Sequence, residues 1–212
     1  MSVFQTQRNS LSMSSAISRP LFYGLTGTFI LLAVLGQLST GIYTPFFAEL
    51  ALLHGTKISL IEKSVAIFLI AFAISQLLSG IACDYLNKPR LLQSGLLLFI
   101  LGTLLVAYAN SPLLFLTGRV IQGLGGGVGV SVTRALSKQL FNPQQLNVSL
   151  SLTNIAFAIA PAIAPMLGTV IGEWLGLRAI FLAVLLIALL AFGLLFAFTP
   201  TLHLRRAPTL SM

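Results

Sequence analysis

Arg119 is the residue whose type and position most demand a chemical explanation. It lies in residues 113–136, LLFLTGRVIQGLGGGVGVSVTRAL, an apolar run long enough to cross a bilayer, about six residues or ~9 Å inside its outer end. A guanidinium keeps its proton at every accessible pH, so placing it in hydrocarbon costs at least ~2.5–3.5 kcal/mol. Such a group needs an aqueous cavity or polar partners inside a helix bundle, and at that depth it is a functional-site hypothesis by default. Gln122, one turn on, is the nearest polar neighbour on the same face. Gly123, Gly125, Gly126, Gly127 and Gly129 follow, with GxxxG spacing at Gly123/Gly127 and Gly125/Gly129. Two readings of these glycines stand side by side: close packing of neighbouring helices, or a helix that hinges at Gly123 and Gly127.

No other constellation competes for chemistry. An intramembrane hydrolase needs a nucleophile and a base within hydrogen-bond reach. The two histidines, His54 and His203, fall in a loop and a tail on opposite sides, and no predicted span holds a His, an Asp or paired carboxylates. The expectation is therefore no enzyme, no metal and no cofactor. A single cysteine, Cys83, excludes an internal disulfide and any multi-cysteine metal site.

Composition sets the class of molecule in which Arg119 must be housed. With 57% hydrophobic and 8% charged residues, a soluble domain could not cover itself with polar surface. The chain is expected to be an all-α polytopic membrane protein. Its net charge of +8 carries no cluster long enough for nucleic acid and has to be read by side of the membrane.

Six spans are expected between two tails. Residues 1–20 are Ser-rich, with Arg8 and Arg19 and no acid, and form a short polar tail. The first span, about 21–43, carries Gln37, Thr40 and Thr44 at helical spacing and is closed by Pro45. Residues 46–60 are expected to be a loop, and a second span runs from about 61 to 82, with Ser75, Gln76 and Ser79 marking a wetter stripe. The segment from Gly80 to Arg90 is expected to be a tight connection, with Asn87 before Lys88-Pro89 as turn chemistry, because Asn tolerates the left-handed region and proline cannot continue a helix. The third span, 91–109, is almost wholly apolar and is expected to face lipid. The turn Asn110-Ser111-Pro112 makes spans three and four antiparallel neighbours.

Span five, about 148–171, contains Asn154 and two prolines, Pro161 and Pro165, four residues apart on one face. Each removes a backbone hydrogen bond, so the helix should hinge there with its proline face pointing inward. Glu173, Trp174 and Arg178 form an interfacial turn, and span six, about 179–198, ends at Pro200 before a tail at 201–212. Six spans return the chain to its starting side. With the N-terminus inside, Arg8, Arg19, Lys88, Arg90, Arg134, Lys138, Arg205 and Arg206 are cytoplasmic, against Lys57, Lys63 and Arg178 outside. The positive-inside rule therefore predicts both termini in the cytoplasm.

At the turn after span two and at Arg119 the sequence resembles the major facilitator superfamily, in its bicyclomycin-resistance (Bcr/CflA) branch of drug:proton antiporters. The family's loop signature, roughly G-x-L-x-D-R-x-G-R-R, is approximated by Gly80, Asp84, Lys88 and Arg90, with Tyr85 in place of a basic residue and Asn87 in place of a glycine. The fourth-helix signature R-x-x-Q-G is met by Arg119, Gln122 and Gly123. Residues 160–168, APAIAPMLG, stand in for the fifth-helix pattern, and 174–181 resembles W-R-x-x-F with an insertion.

The resemblance implies a six-helix half of a twelve-helix fold that exports small amphipathic drugs or metabolites against protons. It places Arg119, Gln122, Gln37, Tyr43 and Asn154 along the substrate and proton pathway, and makes Gly80, Asp84, Lys88 and Arg90 a cytoplasmic gate. Topology determination alone is the other reading of those gate charges. Where the branch carries an acid near the end of its first helix, this chain has Thr40-Gly41-Ile42-Tyr43-Thr44-Pro45, so no carboxylate lies deep in a span. The two halves of this fold are parallel repeats about an axis along the membrane normal. The implied partner is accordingly a second six-helix half or an identical copy in a homodimer. The alternative is a truncated or structural half that transports nothing alone.

Overall fold

The computed structural model describes residues 17–204, so most of both expected tails, with Arg8, Arg205 and Arg206, lies outside the described residues. All the secondary structure described there is helical. Six helices are long and apolar enough to span a membrane: α1 (Arg19–Gly41), α3 (Ile58–Tyr85), α4 (Lys88–Ala107), α5 (Pro112–Leu140), α6 (Pro143–Leu175) and α7 (Leu177–Leu204). A single turn of 3₁₀ helix at Thr44–Phe46 and a short helix α2 (Phe47–Leu53) link the first two spans. Residues 46–60 are thus not a plain loop. Phe-Ala-Glu-Leu-Ala-Leu-Leu is built largely of helix formers and tucks Leu50 and Ala51 into the core.

Helix starts follow capping chemistry. Asn87, Ser111 and Asn142 each accept a backbone amide from three residues on and are each followed by proline at the first or second helical position, where its missing N–H costs nothing. Asn87 thus serves the turn as an ordinary N-cap, with a φ of −69° and no need of the left-handed region. Only Leu86 and Asn87 separate α3 from α4. Gly80 consequently lies inside α3, with open space where a Cβ would be. Helix α7 continues through Pro200 to Leu204 rather than ending there.

Helix α5 is the centre of the bundle, packed most extensively against α4 and α3, while α1 packs on α6, α7 and α5. The glycines make this possible. A Cβ at Gly123 would sit 2.5 Å from the Phe68 carbonyl and one at Gly127 would sit 2.8 Å from the Gln76 amide, so this pair is the seam to α3. Gly118 and Gly125, seven residues apart, meet α4 at Val106 and at Phe99, while Gly102 and Gly95 of α4 meet α5 at Gln122 and Val128, an antiparallel seam. A Cβ at Gly102 would lie 2.7 Å from Gln122 Cα. Without a hydrophobic drive between helices in lipid, such backbone-to-backbone approach supplies the packing. The third span is therefore a packing partner of α5 and not a lipid-facing bystander: Leu92, Leu96, Phe99 and Thr103 are buried.

The two least covered spans are α3 and α6, each with 22% of its apolar window buried. On α6 the buried stripe is Ala160, Ala164, Gly168 and Gly172, which lets Gly41 and Phe46 come close. Pro161 is exposed, while Pro165 is half-buried with its Cδ 3.7 Å from where a Gly41 Cβ would be, so the expected inward proline face is met only at Pro165. Small side chains took the interface because they allow approach that a proline ring would block.

Candidate functional site

The site begins where α1 stops. Its last turn ends at Gly41, and the carbonyls of a last turn lack a full set of intrahelical donors and carry the negative end of the helix dipole. Arg119 is fully buried and donates from Nη2 to the Ser39 carbonyl in that turn, at 2.9 Å. Its Nη1 donates to Gln122 Oε1 at 2.6 Å. The guanidinium lies 4.1 Å from the centroid of the Tyr43 ring, with Phe68 and Phe115 at 5.4 and 6.0 Å. A desolvated cation over an aromatic face gains about 2 kcal/mol. The cation is thus held by a helix terminus, one amide and an aromatic box, all formally neutral. Its Nε has no hydrogen-bond partner among the described residues.

A second layer fixes these partners. Gln122 is fully buried and donates from Nε2 to Thr103 Oγ1 at 2.8 Å, whose own proton goes to the Phe99 carbonyl. This assigns Gln122 its orientation, oxygen toward the cation and amide toward α4. The Tyr43 hydroxyl lies 2.7 Å from Ser64 Oγ, and Ser64 donates onward to the Ile61 carbonyl, so Tyr43 donates to Ser64. Tyr43 is fully buried, and its ring is pinned over Arg119 by that bond to α3. Above it, His54 packs its ring 5.2 Å from Phe115 and is only 8% exposed, with Nδ1 unpartnered among the described residues. Burial lowers the His54 pKa from its ordinary 6.5.

Among the pathway residues expected from sequence, Arg119, Gln122 and Tyr43 come together. Gln37 is half-buried on α1, and its side chain is not among the partners of Arg119. Asn154 is exposed on the uncovered face of α6. Of the residues expected to form a gate, Asp84, Lys88 and Arg90 lie at the α3–α4 turn, with Asp84 and Arg90 exposed and Lys88 half-buried, while Gly80 is inside α3. Arg90 donates its amide to Asn87 Oδ1 at 3.3 Å. Gly123 and Gly127 are packing contacts to α3, and α6 is one uninterrupted helix through Pro161 and Pro165. Ser64, Thr103 and the Ser39 carbonyl were not anticipated. Thr103 had a signal, as the one polar side chain near the middle of an otherwise apolar span; a backbone carbonyl has none.

Residues 29–210, most of the chain, match the Major Facilitator Superfamily. The chain belongs to that superfamily. It is 30% identical over 182 residues to a bicyclomycin resistance protein homolog of Haemophilus influenzae, covering 83% of this chain and 46% of that one. It is 27% identical over 132 residues to multidrug resistance protein D of Escherichia coli, covering 62% and 34%. The facilitator fold recurs in a solved peptide transporter, with a TM-score of 0.69 and 15% identity over 84% of this chain and 38% of that one. It recurs also in the human organic anion transporter MFSD10, with a TM-score of 0.65 and 21% identity over 90% and 51%. The chain spans roughly a third to a half of the length of these curated relatives. Its membrane-embedded, all-helical, six-span facilitator architecture is the one expected from sequence, and its relatives are multidrug resistance proteins of the bicyclomycin-resistance type.

Proposed function

We propose that this facilitator chain is one six-helix half of an efflux transporter for small amphipathic compounds, working with a second half seated on the uncovered faces of α3 and α6. The observation that carries the reading is Arg119, a buried charge with no carboxylate among the described residues to answer it. Its nearest counter-charge is the end of α1, so a substrate or partner group that replaces the Tyr43 ring or the Ser39 carbonyl would compete directly for the guanidinium. Both termini lie in the cytoplasm of a bacterial inner membrane in this reading, which puts the α3–α4 turn inside as the gate and the Arg119 site in the outer half.

The four acids, Glu49, Glu62, Asp84 and Glu173, all sit at or near helix ends. Proton coupling therefore takes its titrating carboxylate from the second half, which favours a distinct half over an identical copy. The test is uptake of a fluorescent cationic dye into vesicles under an imposed pH gradient. Gradient-driven uptake by wild-type protein with its partner supports proton coupling, and uptake indifferent to the gradient overturns it. Cysteine placed at Ile74 or Ile159, both exposed on the open faces, crosslinks to the partner in native membranes. Monomer alone after crosslinking would sink the pairing. The same open faces support a second reading, in which the six-helix unit by itself transports nothing.

A further inference from the structure

We propose that the outer face between α4 and α5 is a specific site for an anionic phospholipid, with one acyl chain in the α4–α5 groove and its phosphate on Arg178. The groove has a volume of about 500 Å³ and is lined by Leu98, Leu101, Leu105 and Tyr108 of the α4 side with Leu114 and Ile121 of α5. Leu98, Leu101, Leu105 and Tyr108 are spaced so that one face of the helix carries them all. From Leu98 to Tyr108 is ten residues, about 15 Å of helix, which equals half of the ~30 Å hydrocarbon core. The groove is therefore one leaflet deep. An apolar channel of that depth facing a bilayer holds a hydrocarbon chain, since water there would find no polar partners.

Charge at the mouth selects which lipid. Tyr108 is 56% exposed at the end of the groove, and Arg178 lies with its guanidinium 5.1 Å from the Tyr108 ring centroid. Trp174, 83% exposed four residues earlier, marks headgroup depth. Arg178 sits in the first turn of α7, where the helix dipole adds to its positive field, and it is paired with no carboxylate among the described residues. The planar fork of an arginine matches a phosphate bidentately. Groove and cation together fit a diacyl lipid with net negative charge in the leaflet at the Tyr108 end. Arg119 is not among the residues that line this groove, and the site rests on membrane insertion, not on the transport reading.

The test is native mass spectrometry of the purified chain in detergent, mixed with equimolar phosphatidylglycerol and phosphatidylcholine of identical acyl chains. Wild-type protein is expected to retain phosphatidylglycerol in about fivefold to tenfold preference, the scale of one interfacial cation. Arg178→Gln abolishes the preference, Arg178→Lys keeps most of it, and Leu101→Trp, which fills the groove, reduces adducts of both lipids. Leu101 is 49% exposed, so that variant keeps the core intact and remains informative if Arg178→Gln fails to fold. Equal retention of the two lipids by wild type, an unchanged preference in Arg178→Gln, or an inert Leu101→Trp overturns the site. Full displacement of the lipid by inorganic phosphate also overturns it, because the headgroup alone would then be the ligand.

Discussion

Replacing Arg119 by methionine separates what the charge does from what the side chain fills. Methionine keeps an unbranched apolar stem in a fully buried position and removes the cation. Two acceptors, Gln122 Oε1 and the Ser39 carbonyl, then lose their donors. Each unsatisfied buried acceptor costs about 1–3 kcal/mol. Against this stands the effective penalty of burying an ion, which is itself several kcal/mol. The two contributions nearly cancel, and Arg119→Met is expected to change stability by less than about 3 kcal/mol in either direction. Arg119→Ala adds a cavity at the same place and is expected to lose about 2–5 kcal/mol more. The assay is thermal unfolding followed by fluorescence-detected size exclusion, run beside vesicle dye uptake. The expected pair of results is a nearly wild-type melting curve for Arg119→Met with transport abolished. A methionine variant that transports refutes the functional assignment. One that collapses like the alanine variant refutes the cancellation and makes Arg119 a structural strut.

Other outcomes follow from neighbouring contacts. Gly127→Val drives a branched side chain into the α3 backbone at Phe72 and Gln76 and is expected to cost at least about 1–3 kcal/mol, whereas Gly193→Ala, with open space around it, is neutral or stabilising by up to about 1 kcal/mol; melting curves of the two variants compare them directly. Tyr43→Phe keeps the ring over Arg119 and removes the bond to Ser64, for a loss of about 1 kcal/mol that a Tyr43→Phe/Ser64→Ala double-mutant cycle should show to be shared. His54 is held neutral by burial, its pKa lowered from 6.5. The stability this provides is fully present above pH 6.5 and is lost as pH falls through the lower folded value, so unfolding midpoints should drop on acidification in wild type but not in His54→Phe.

The number and order of spans were legible because bilayer thickness imposes long apolar runs and because Asn87, Ser111 and Asn142 cap helices in ways their side chains announce. Arg119 and Gln122 were legible as a pair from helical spacing alone. What failed has a common cause. Hydropathy cannot distinguish a span that packs on protein from one that faces lipid, since both are apolar. The third span was accordingly expected against lipid, although its Gly95 and Gly102 let α5 approach at Val128 and Gln122. The proline face of α6 was expected inward on the argument that freed carbonyls need partners. The bundle instead buried the alanine and glycine stripe beside it, which leaves Pro161 on a face that this chain does not cover.

That uncovered face and the unanswered cation belong to one physical problem. A guanidinium in low dielectric is stabilised here by groups that are each replaceable: a terminal carbonyl, an amide oxygen and a ring on a hydrogen-bonded tether. A carboxylate partner of fixed position would lock the cation and raise the barrier to exchanging it for anything else. Neutral partners hold it more loosely; among them the Tyr43 ring is tied to α3 through its hydroxyl on Ser64, and Phe68 of α3 stands 5.4 Å from the guanidinium itself. α3 is also a helix with most of its surface uncovered, so in the proposed pairing a half docked on α3 would bear on Arg119 through both the Ser64–Tyr43 bond and Phe68. In that reading Ser64→Ala should weaken the coupling between docking on α3 and access to the buried charge without disturbing the packing of either helix.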